Sequence, residues 1–438
     1  MTLPDTPQVR AWILHPDIKS ERGRRDAHIA LEEGASLARA LPGLEIIGLE
    51  VVPLPRPHPG MLFGSGKIEE LRERLKLAEV DLVLIDGPVT PVQQRNLEKA
   101  WKVKILDRTG LILEIFSDRA ATREGVLQVE MAHLSYQRTR LVRAWTHLER
   151  QRGGLGFVGG PGETQIEADR RAIDEQLVRL RRQLAKVVKT RELHRKARAK
   201  VPYPIVALVG YTNAGKSTLF NHLTGAEVMA RDMLFATLDP TMRKVVLPGG
   251  SEVILSDTVG FISDLPTELV AAFRATLEEV LAADVVVHVR DISHPESLEQ
   301  ARDVEAVLTS LGVDEDTKRI ELWNKVDLLE PDLAEAMHKS AASAPDRFVI
   351  SAVRGEGLEA FLEALDHALG VEKRRDEIVL PYDQGRQRAW LYERGLVEDE
   401  VQGEDGFALT VRWSARQEAQ FRGLKAETAS QLSFFGSL

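Results

Sequence analysis

The stretch Gly210-Tyr-Thr-Asn-Ala-Gly-Lys-Ser217 has the spacing GxxxxGK[ST] without a mismatch. An apolar run, Ile205–Val209, leads into it, and the helix-forming sequence STLFNHL leads out. In that setting the loop opens at Gly210. Backbone N–H groups from Asn213 through Ala214, Gly215, Lys216 and Ser217 to Thr218 then surround a β-phosphate at a helix N-terminus. The Lys216 ammonium reaches the β and γ oxygens, and the Ser217 hydroxyl holds Mg2+. A glycine-rich strand-to-helix turn with no ligand would give the same string, so the loop alone does not decide the chemistry.

Three further segments decide it. The strand-like VILSDTVG ends in Asp257-Thr-Val-Gly260, 40 residues beyond Ser217. There a carboxylate reaches the metal through water and the Gly260 N–H meets a γ-phosphate. Between the two lies LFATLD, where Thr237 completes the magnesium shell when γ-phosphate is present. Lys216, Thr237 and Gly260 are thus the groups expected to act on the γ-phosphate. Next, IELWNKVD supplies Asn324, Lys325 and Asp327 at the end of another strand. The Asp327 carboxylate can accept hydrogen bonds from both N1–H and N2 of guanine, a pattern adenine cannot offer. Finally, FVISA ends at Ser351 and Ala352, whose backbone meets guanine O6. These pieces in this order, each at a strand end, predict a site for GTP and GDP. One position breaks the pattern. In Ras-like GTPases a Gln after the DxxG segment orients the attacking water, whereas here Phe261 follows, and its side chain has no hydrogen-bonding group.

These motifs need elements to hold them. Residues 201–370 alternate strand-like and helix-like runs, as a Ras-like P-loop G domain requires. Residues 1–115 do the same (VRAWILHP, LEIIGLEVVPL, DLVLIDG and KVKILD between helical segments) and predict an N-terminal parallel α/β subdomain. Over 116–200 the strand signals stop. Leu127, Met131, Leu134, Leu141, Trp145 and Leu148 form one helical seam, and Ile166, Ile173, Leu177, Leu180, Leu184 and Val187 a second. They predict an antiparallel helical hairpin whose connection, GGLGFVGGPGETQ, is rich in glycine. Residues 371–438 read as a small α+β C-terminal domain. The expected fold class is therefore multidomain α/β.

Composition sets outer limits. A chain of 438 residues has room for roughly two to four domains, and 43% hydrophobic content is ordinary for packed cores. No apolar run approaches the roughly 18 residues of a membrane span, and the N-terminus lacks a signal-peptide pattern. A cytoplasmic protein without membrane insertion is expected, with partial membrane association left open. The absence of cysteine removes disulfides, thiolate metal sites and Cys nucleophiles. The net charge of −9 disfavours a nucleic-acid partner on average, yet residues 170–200 hold 12 Lys/Arg against 3 Asp/Glu. Such a stretch is a phosphate-binding surface or merely a solvated helix face.

Some look-alikes drop out. Gly64-Ser-Gly-Lys67 lacks the correctly spaced first glycine and is followed by Ile68 instead of Ser/Thr, so it reads as a glycine turn. Gly154-Leu-Gly156-Phe-Val-Gly159 matches GxGxxG but sits between helices rather than after a strand. His133, His147 and His194 lack metal-ligand spacing. Glu163 and Glu167 suit a helix start. Trp390, Tyr392 and Trp413 read as the core of a small domain.

Taken together, GGLGFVGGPGETQIEADRR (153–171), FGSGKIEEL (63–71), DRTGLILEIF (107–116), GYTNAGKSTLFN (210–221), LFATLDPT (234–241) and DTVGFISDLP (257–266) closely resemble the HflX group of ribosome-associated GTPases, over nearly the whole chain. The resemblance implies binding to the large ribosomal subunit and its rRNA, with GTP-dependent splitting or rescue of stalled ribosomes. It also implies that the hairpin and its glycine loop approach RNA. Arg138, Arg140, Arg170 and Arg171 then become candidates to neutralise phosphates, and Gly154, Gly156, Gly159 and Gly160 to allow close approach. Phe261 places the chain among GTPases with a hydrophobic residue in the Gln position. In several of these an Asn at the position of Asn213 binds a potassium ion; a plain turn role for Asn213 stands beside that reading. A monomer is expected. Two other functions remain in play: a potassium-stimulated GTPase of ribosome assembly or RNA modification, and a non-catalytic guanine-nucleotide sensor.

Overall fold

The protein, seen in a computed structural model, is described at residues 8–20, 25–151, 161–198, 203–226, 234–235, 241–263, 278–313, 317–369, 373–393, 395–403, 406–414, 417–418 and 421–422. At 141–151, 161–166 and 188–198 the description is of the helical backbone. Thr237, Gly154, Gly156, Gly159 and Gly160 lie outside the described residues.

The first sheet is parallel throughout, in the order β2-β1-β3-β4, from β1 (Val9–Ile18), β2 (Leu44–Leu54), β3 (Leu82–Ile85) and β4 (Lys104–Asp107). Helices α1 (Ala27–Arg39), α2 (Ser65–Leu77), α3 (Pro91–Trp101) and α4 (Arg108–Arg119) connect and cover these strands. Coverage on both faces explains the unbroken apolar run of β3, where Val83, Leu84 and Ile85 are all buried. The helices begin where the sequence offers a cap: Asp26 accepts from His28 and Ile29 N–H, and Asp107 from Gly110 N–H. Helix α2 starts on the GSGK segment, whose Lys67 is paired with Glu50 and Glu70. The last strand of this part ends at Asp107, and helix α4 crosses residue 115.

Helices α5 (Arg123–Gln151) and α6 (Pro161–Arg198) lie side by side. Arg138 on one is 2.7 Å from Asp174 on the other, each about equally far from the connection, as antiparallel pairing requires. Leu127, Leu177 and Leu180 of the two seams are buried. The base of the hairpin is pinned to the first sheet by a single carboxylate. Asp107 caps α4 and also accepts from the Tyr136 hydroxyl at 2.7 Å and from Arg140 at 2.9 Å. Arg140 also contacts Tyr136 and Gln94. Burial first, and then the Asp107 carboxylate, push the Tyr136 hydroxyl's pKa upward, so it remains the donor. Arg140 is half-buried, and its guanidinium is engaged by Asp107, Tyr136 and Gln94 instead of standing free on the hairpin surface. Arg170 and Arg171 are exposed on the hairpin and Arg138 is half-buried, with Arg138 and Arg170 near Asp174 and Arg171 near Glu167.

The second sheet has the order β10-β9-β8-β5-β7-β6, from β5 (Ile205–Val209), β6 (Thr241–Val246), β7 (Glu252–Asp257), β8 (Val285–Asp291), β9 (Lys318–Asn324) and β10 (Arg347–Val349). Only its edge pair, β6 and β7, is antiparallel. Helices α7 (Lys216–Thr224), α8 (Glu278–Leu281), α9 (Ser297–Leu311), α10 (Pro331–Ala341) and α11 (Leu358–Ala368) accompany it. Strand β5 has β7 on one side and β8 on the other, so a crevice opens at its carboxyl end. The phosphate loop lies there. The chain then forms a small antiparallel sheet, β11 (Lys373–Leu380), β13 (Phe407–Ser414) and β12 (Val397–Gln402), backed by α12 (Gly385–Glu393). Trp413 is buried in that core and donates to Asp376, while Tyr392 is half exposed. No described helix is long and apolar enough to cross a membrane.

One apolar core runs through both larger sheets, joining Ile112 and Phe116 of α4 to Leu234, Phe235 and Phe261. The Phe116 and Phe235 rings meet edge to face at 4.7 Å. Asp107→Ala removes a cap and two hydrogen bonds and leaves the half-buried Arg140 without its countercharge. A loss of about 3 kcal/mol or more is expected in denaturant unfolding. Asp107→Asn, which keeps acceptor oxygen, should lose less.

Candidate active site

The phosphate loop packs so tightly that two of its positions admit no side chain. A Cβ on Gly210 would sit 2.2 Å from Val289 O, and one on Gly215 would sit 2.2 Å from Asn324 Nδ2. Both glycines also have positive φ, a region that penalises other residues. From Gly215 the chain enters α7, so the Ser217 and Thr218 N–H groups belong to a helix start. Lys216 is buried, and its Nζ donates to the Gly210 and Tyr211 carbonyls at 3.0 and 2.8 Å. Burial pushes its pKa down to about 8, against the upward pull of Asp257. Ser217 Oγ donates to Asp257 Oδ2 at 2.7 Å, which brings the two expected metal-side residues together.

The residues expected to read the base meet the loop from the other side. Asn324 donates to Ala214 O at 2.8 Å and accepts from Ala352 N–H at 2.9 Å. Its side chain thus braces the phosphate loop against the Ser351–Ala352 turn. Lys325 has φ +68 and an ion pair to Asp291 at 2.7 Å. Asp327 follows in a short 3-10 turn, Val326–Leu328, and is half-buried. Buried Ser351 accepts from Arg354 N–H. Asn213 has φ +60, the left-handed geometry that Asn tolerates.

The DTVGF segment is joined to the loop by backbone. Thr212 N–H donates to Phe261 O at 2.7 Å, and Phe261 N–H donates to Gly210 O at 3.1 Å. Gly260 lies directly against the loop: a Cβ there would be 2.8 Å from Thr212 Cα and 3.1 Å from Lys216 Nζ. Phe261 is 1% exposed and faces the shared core, so its ring points away from the phosphates.

A set of residues that the motifs did not single out ties this arrangement to the first sheet. The Tyr211 hydroxyl donates to Glu33 of α1 at 2.6 Å, accepts from Ser263 N–H at 2.8 Å, and lies 2.7 Å from Ser263 Oγ. Ser263 also donates to Asp303 and, through its carbonyl, accepts from Arg108. Glu33 is paired with Arg25 and Arg108, and Arg25 continues to Glu296 at 2.6 Å. Burial alone would raise the Glu33 carboxyl, but the two guanidinium groups outweigh it and hold it below the usual carboxylate range. Burial and Glu33 push Tyr211 upward, so its hydroxyl keeps its proton. Arg108 also joins Asp86, whose carboxylate accepts from His15 Nδ1 at 2.9 Å across β1 and β3. His15, Asp86, Arg108 and Glu33 thus form one chain of charges along the first sheet. In the sequence, the only sign of this network was Arg108 within DRTG and Tyr211 within the loop.

Two outcomes follow from this geometry. Phe261→Gln buries an amide in an apolar core; it should cost about 2–3 kcal/mol in thermal or denaturant unfolding and bring no gain in GTP turnover. A large gain would show that the side chain can reach the water. Lys216 titrates at about 8 without ligand, and nucleotide phosphates favour its charged form. At pH 9, GDP binding should therefore take up a proton, seen by calorimetry in buffers of different ionisation heat, and affinity should fall as pH rises above about 8. No uptake at pH 9 would contradict that assignment.

Four family models cover the chain in order: the GTP-binding GTPase N-terminal region at 28–117, the GTP-binding GTPase middle region at 119–198, the 50S ribosome-binding GTPase at 205–325, and the HflX C-terminal domain at 336–426. A GTPase HflX of Magnetococcus marinus is 50% identical over 369 residues, 84% of each chain. That of Escherichia coli is 43% identical over 376 residues, 86% of this chain and 87% of its own. That of Caldanaerobacter subterraneus is 45% identical over 368 residues, 84% and 83% respectively. At these identities and coverages, with the four family models running the length of the chain, it belongs to the HflX family of GTPases.

Proposed function

We propose that this GTPase docks on the large ribosomal subunit as a monomer and uses GTP binding and hydrolysis to split or rescue stalled ribosomes. The observation that carries the reading is the continuous link from hairpin to phosphate loop. The hairpin is fixed to the first sheet at Asp107, and the same α/β unit reaches the loop through Glu33 and Tyr211. A contact made by the exposed basic hairpin would therefore be felt at the γ-phosphate side of the site. The matching 50S ribosome-binding GTPase model supports the choice of partner. Arg138, Arg170 and Arg171 are the described side chains we assign to RNA phosphates.

Mg2+ fits the residues present. Ser217 Oγ and Asp257 Oδ2 are hard oxygen donors 2.7 Å apart, the donor type magnesium prefers, with Ser217 as ligand and Asp257 acting through water. When bound, the ion neutralises charge on the β and γ oxygens. Thr237 is assigned the remaining protein ligand. Lys216 holds the β and γ oxygens, and Gly260 N–H meets the γ-phosphate. Asp327 reads guanine, with Asn324 and Ala352 holding its turn.

GTP turnover measured with and without purified large subunits, in potassium and again in sodium, tests this reading. A rise of about tenfold or more only with subunits is expected. A rise from potassium alone would transfer completion of the site to a cation at Asn213 and favour a role in assembly or RNA modification. No rise under any condition would leave a guanine-nucleotide sensor.

A further inference from the structure

Where the phosphate loop and the segment after Asp257 run side by side, a side chain stands in for backbone. Phe261 N–H donates to Gly210 O and Thr212 N–H donates to Phe261 O, the first two rungs of a parallel pairing centred on Tyr211 and Phe261. In such a pairing the next donor, Ser263 N–H, would meet Thr212 O. It is bonded instead to the Tyr211 hydroxyl at 2.8 Å. The reason lies at the next residue: at Asn213 the loop turns left-handed, φ +60, and leaves the line of the strand. We propose that Tyr211 is a positioning residue of the GTPase site. Its phenol oxygen carries the pairing one rung beyond the backbone and so holds Gly260 where it discriminates GTP from GDP. This role rests on Gly260 meeting the γ-phosphate and is independent of any ribosomal role.

The phenol is itself held. It donates to Glu33 at 2.6 Å, Glu33 is paired with Arg108, and Arg108 donates to Ser263 O at 3.2 Å. Tyr211, Glu33 and Arg108 thus close a ring on the N–H and C=O of a single residue. Tyrosine has one hydroxyl proton and gives it to Glu33, while Ser263 Oγ donates to Asp303 at 2.6 Å. The donor to the phenol oxygen is therefore the Ser263 amide and not its side chain. Ser263 and Tyr211 are each 4% exposed, so bulk water does not replace that oxygen.

The ring fixes the place of Gly260. A Cβ added there would lie 2.8 Å from Thr212 Cα and 3.1 Å from Lys216 Nζ, so Gly260 stands directly beside the ammonium assigned to the β and γ oxygens. The groups that hold GDP are the loop amides, Lys216 and Ser217, and none of them is bonded to the Tyr211 hydroxyl. Only the γ-phosphate reaches across to Gly260. Without the phenol oxygen a buried N–H has no acceptor, an imbalance that shifts an equilibrium by about fivefold to a hundredfold. The segment from Gly260 to Ser263 relieves it by moving off the loop, which weakens the hold on GTP and spares GDP.

Equilibrium binding of fluorescent GDP and of a non-hydrolysable GTP analogue to the full chain, without ribosomes, tests the role in Tyr211→Phe, Ser263→Ala and Gly260→Ala. Tyr211→Phe should bind GDP within about twofold of the parent, which also shows that the site has folded, while its affinity for the GTP analogue falls about tenfold. Ser263→Ala keeps the amide donor, so the ratio of its two affinities should stay within about threefold of the parent's. Gly260→Ala crowds the γ-phosphate side directly and should lower that ratio at least as far as Tyr211→Phe. A parent-like ratio in Tyr211→Phe beside a lowered one in Gly260→Ala would overturn the proposal while leaving Gly260 at the γ-phosphate. Parent-like ratios in both would remove Gly260 from the γ-phosphate, and the proposal with it. Equal losses of both ligands in Tyr211→Phe, or a ratio in Ser263→Ala lowered as far as in Tyr211→Phe, would also overturn it. If Tyr211→Phe does not bind GDP, hydrogen exchange in the parent decides. By linkage the GTP analogue should protect the Ser263 amide about tenfold more than GDP does, and equal protection would overturn the proposal.

Discussion

Two backbone hydrogen bonds, from Thr212 to Phe261 and from Phe261 to Gly210, set the geometry on which the rest depends. They bind the phosphate loop to the segment after Asp257, so the groups on the two sides of a γ-phosphate cannot move independently. Side chains would have served less well here. A backbone pair fixes register, and it leaves the side chains of 211, 212 and 261 free to take three different roles. Tyr211 turns toward the first sheet, Phe261 into the core, and Thr212 stays beside Gly260.

The charges around Glu33 complete that frame. Taking a carboxylate and two guanidinium groups out of water is costly, and it is tolerated only where each finds partners. Glu33 finds Arg25, Arg108 and Tyr211; Arg108 finds Asp86 as well. The family assignment gives this arrangement its meaning: a nucleotide site whose phosphate side is built partly by residues nearly two hundred positions upstream in sequence.

Much of the nucleotide site was legible in the sequence because its chemistry depends on local spacing. Gly210, Lys216, Ser217, Asp257 and Asn324 sit at strand ends that apolar runs mark clearly, and the loop tolerates no other residue at Gly210 or Gly215. The seams of the hairpin were legible for the same reason, since helical spacing reports on packing. The Glu33 network was not. Its members are separated by up to 271 positions, and each alone reads as an ordinary surface charge. Arg140 shows the reverse case. A basic helix with exposed neighbours suggests RNA contact, but one facing carboxylate at Asp107 engages that side chain. Only the fold brings Asp107 to that place. That the Phe261 side chain has no hydrogen-bonding group is plain from its residue type, yet its destination in a core shared by two sheets lay beyond any local pattern.

The edge-to-face contact of Phe116 with Phe235 has a consequence for how the chain holds together. Phe235 precedes the segment that carries Thr237, and it is buried in a core that also contains α4 of the first sheet. The cooperative unit therefore does not stop where the sheets stop. Opening the nucleotide side of the second sheet must expose apolar surface on the first, so breathing of one is charged to the stability of the other. Displacing Phe235 would repack Phe116, so hydration of that buried aromatic pair reports on both sheets at once.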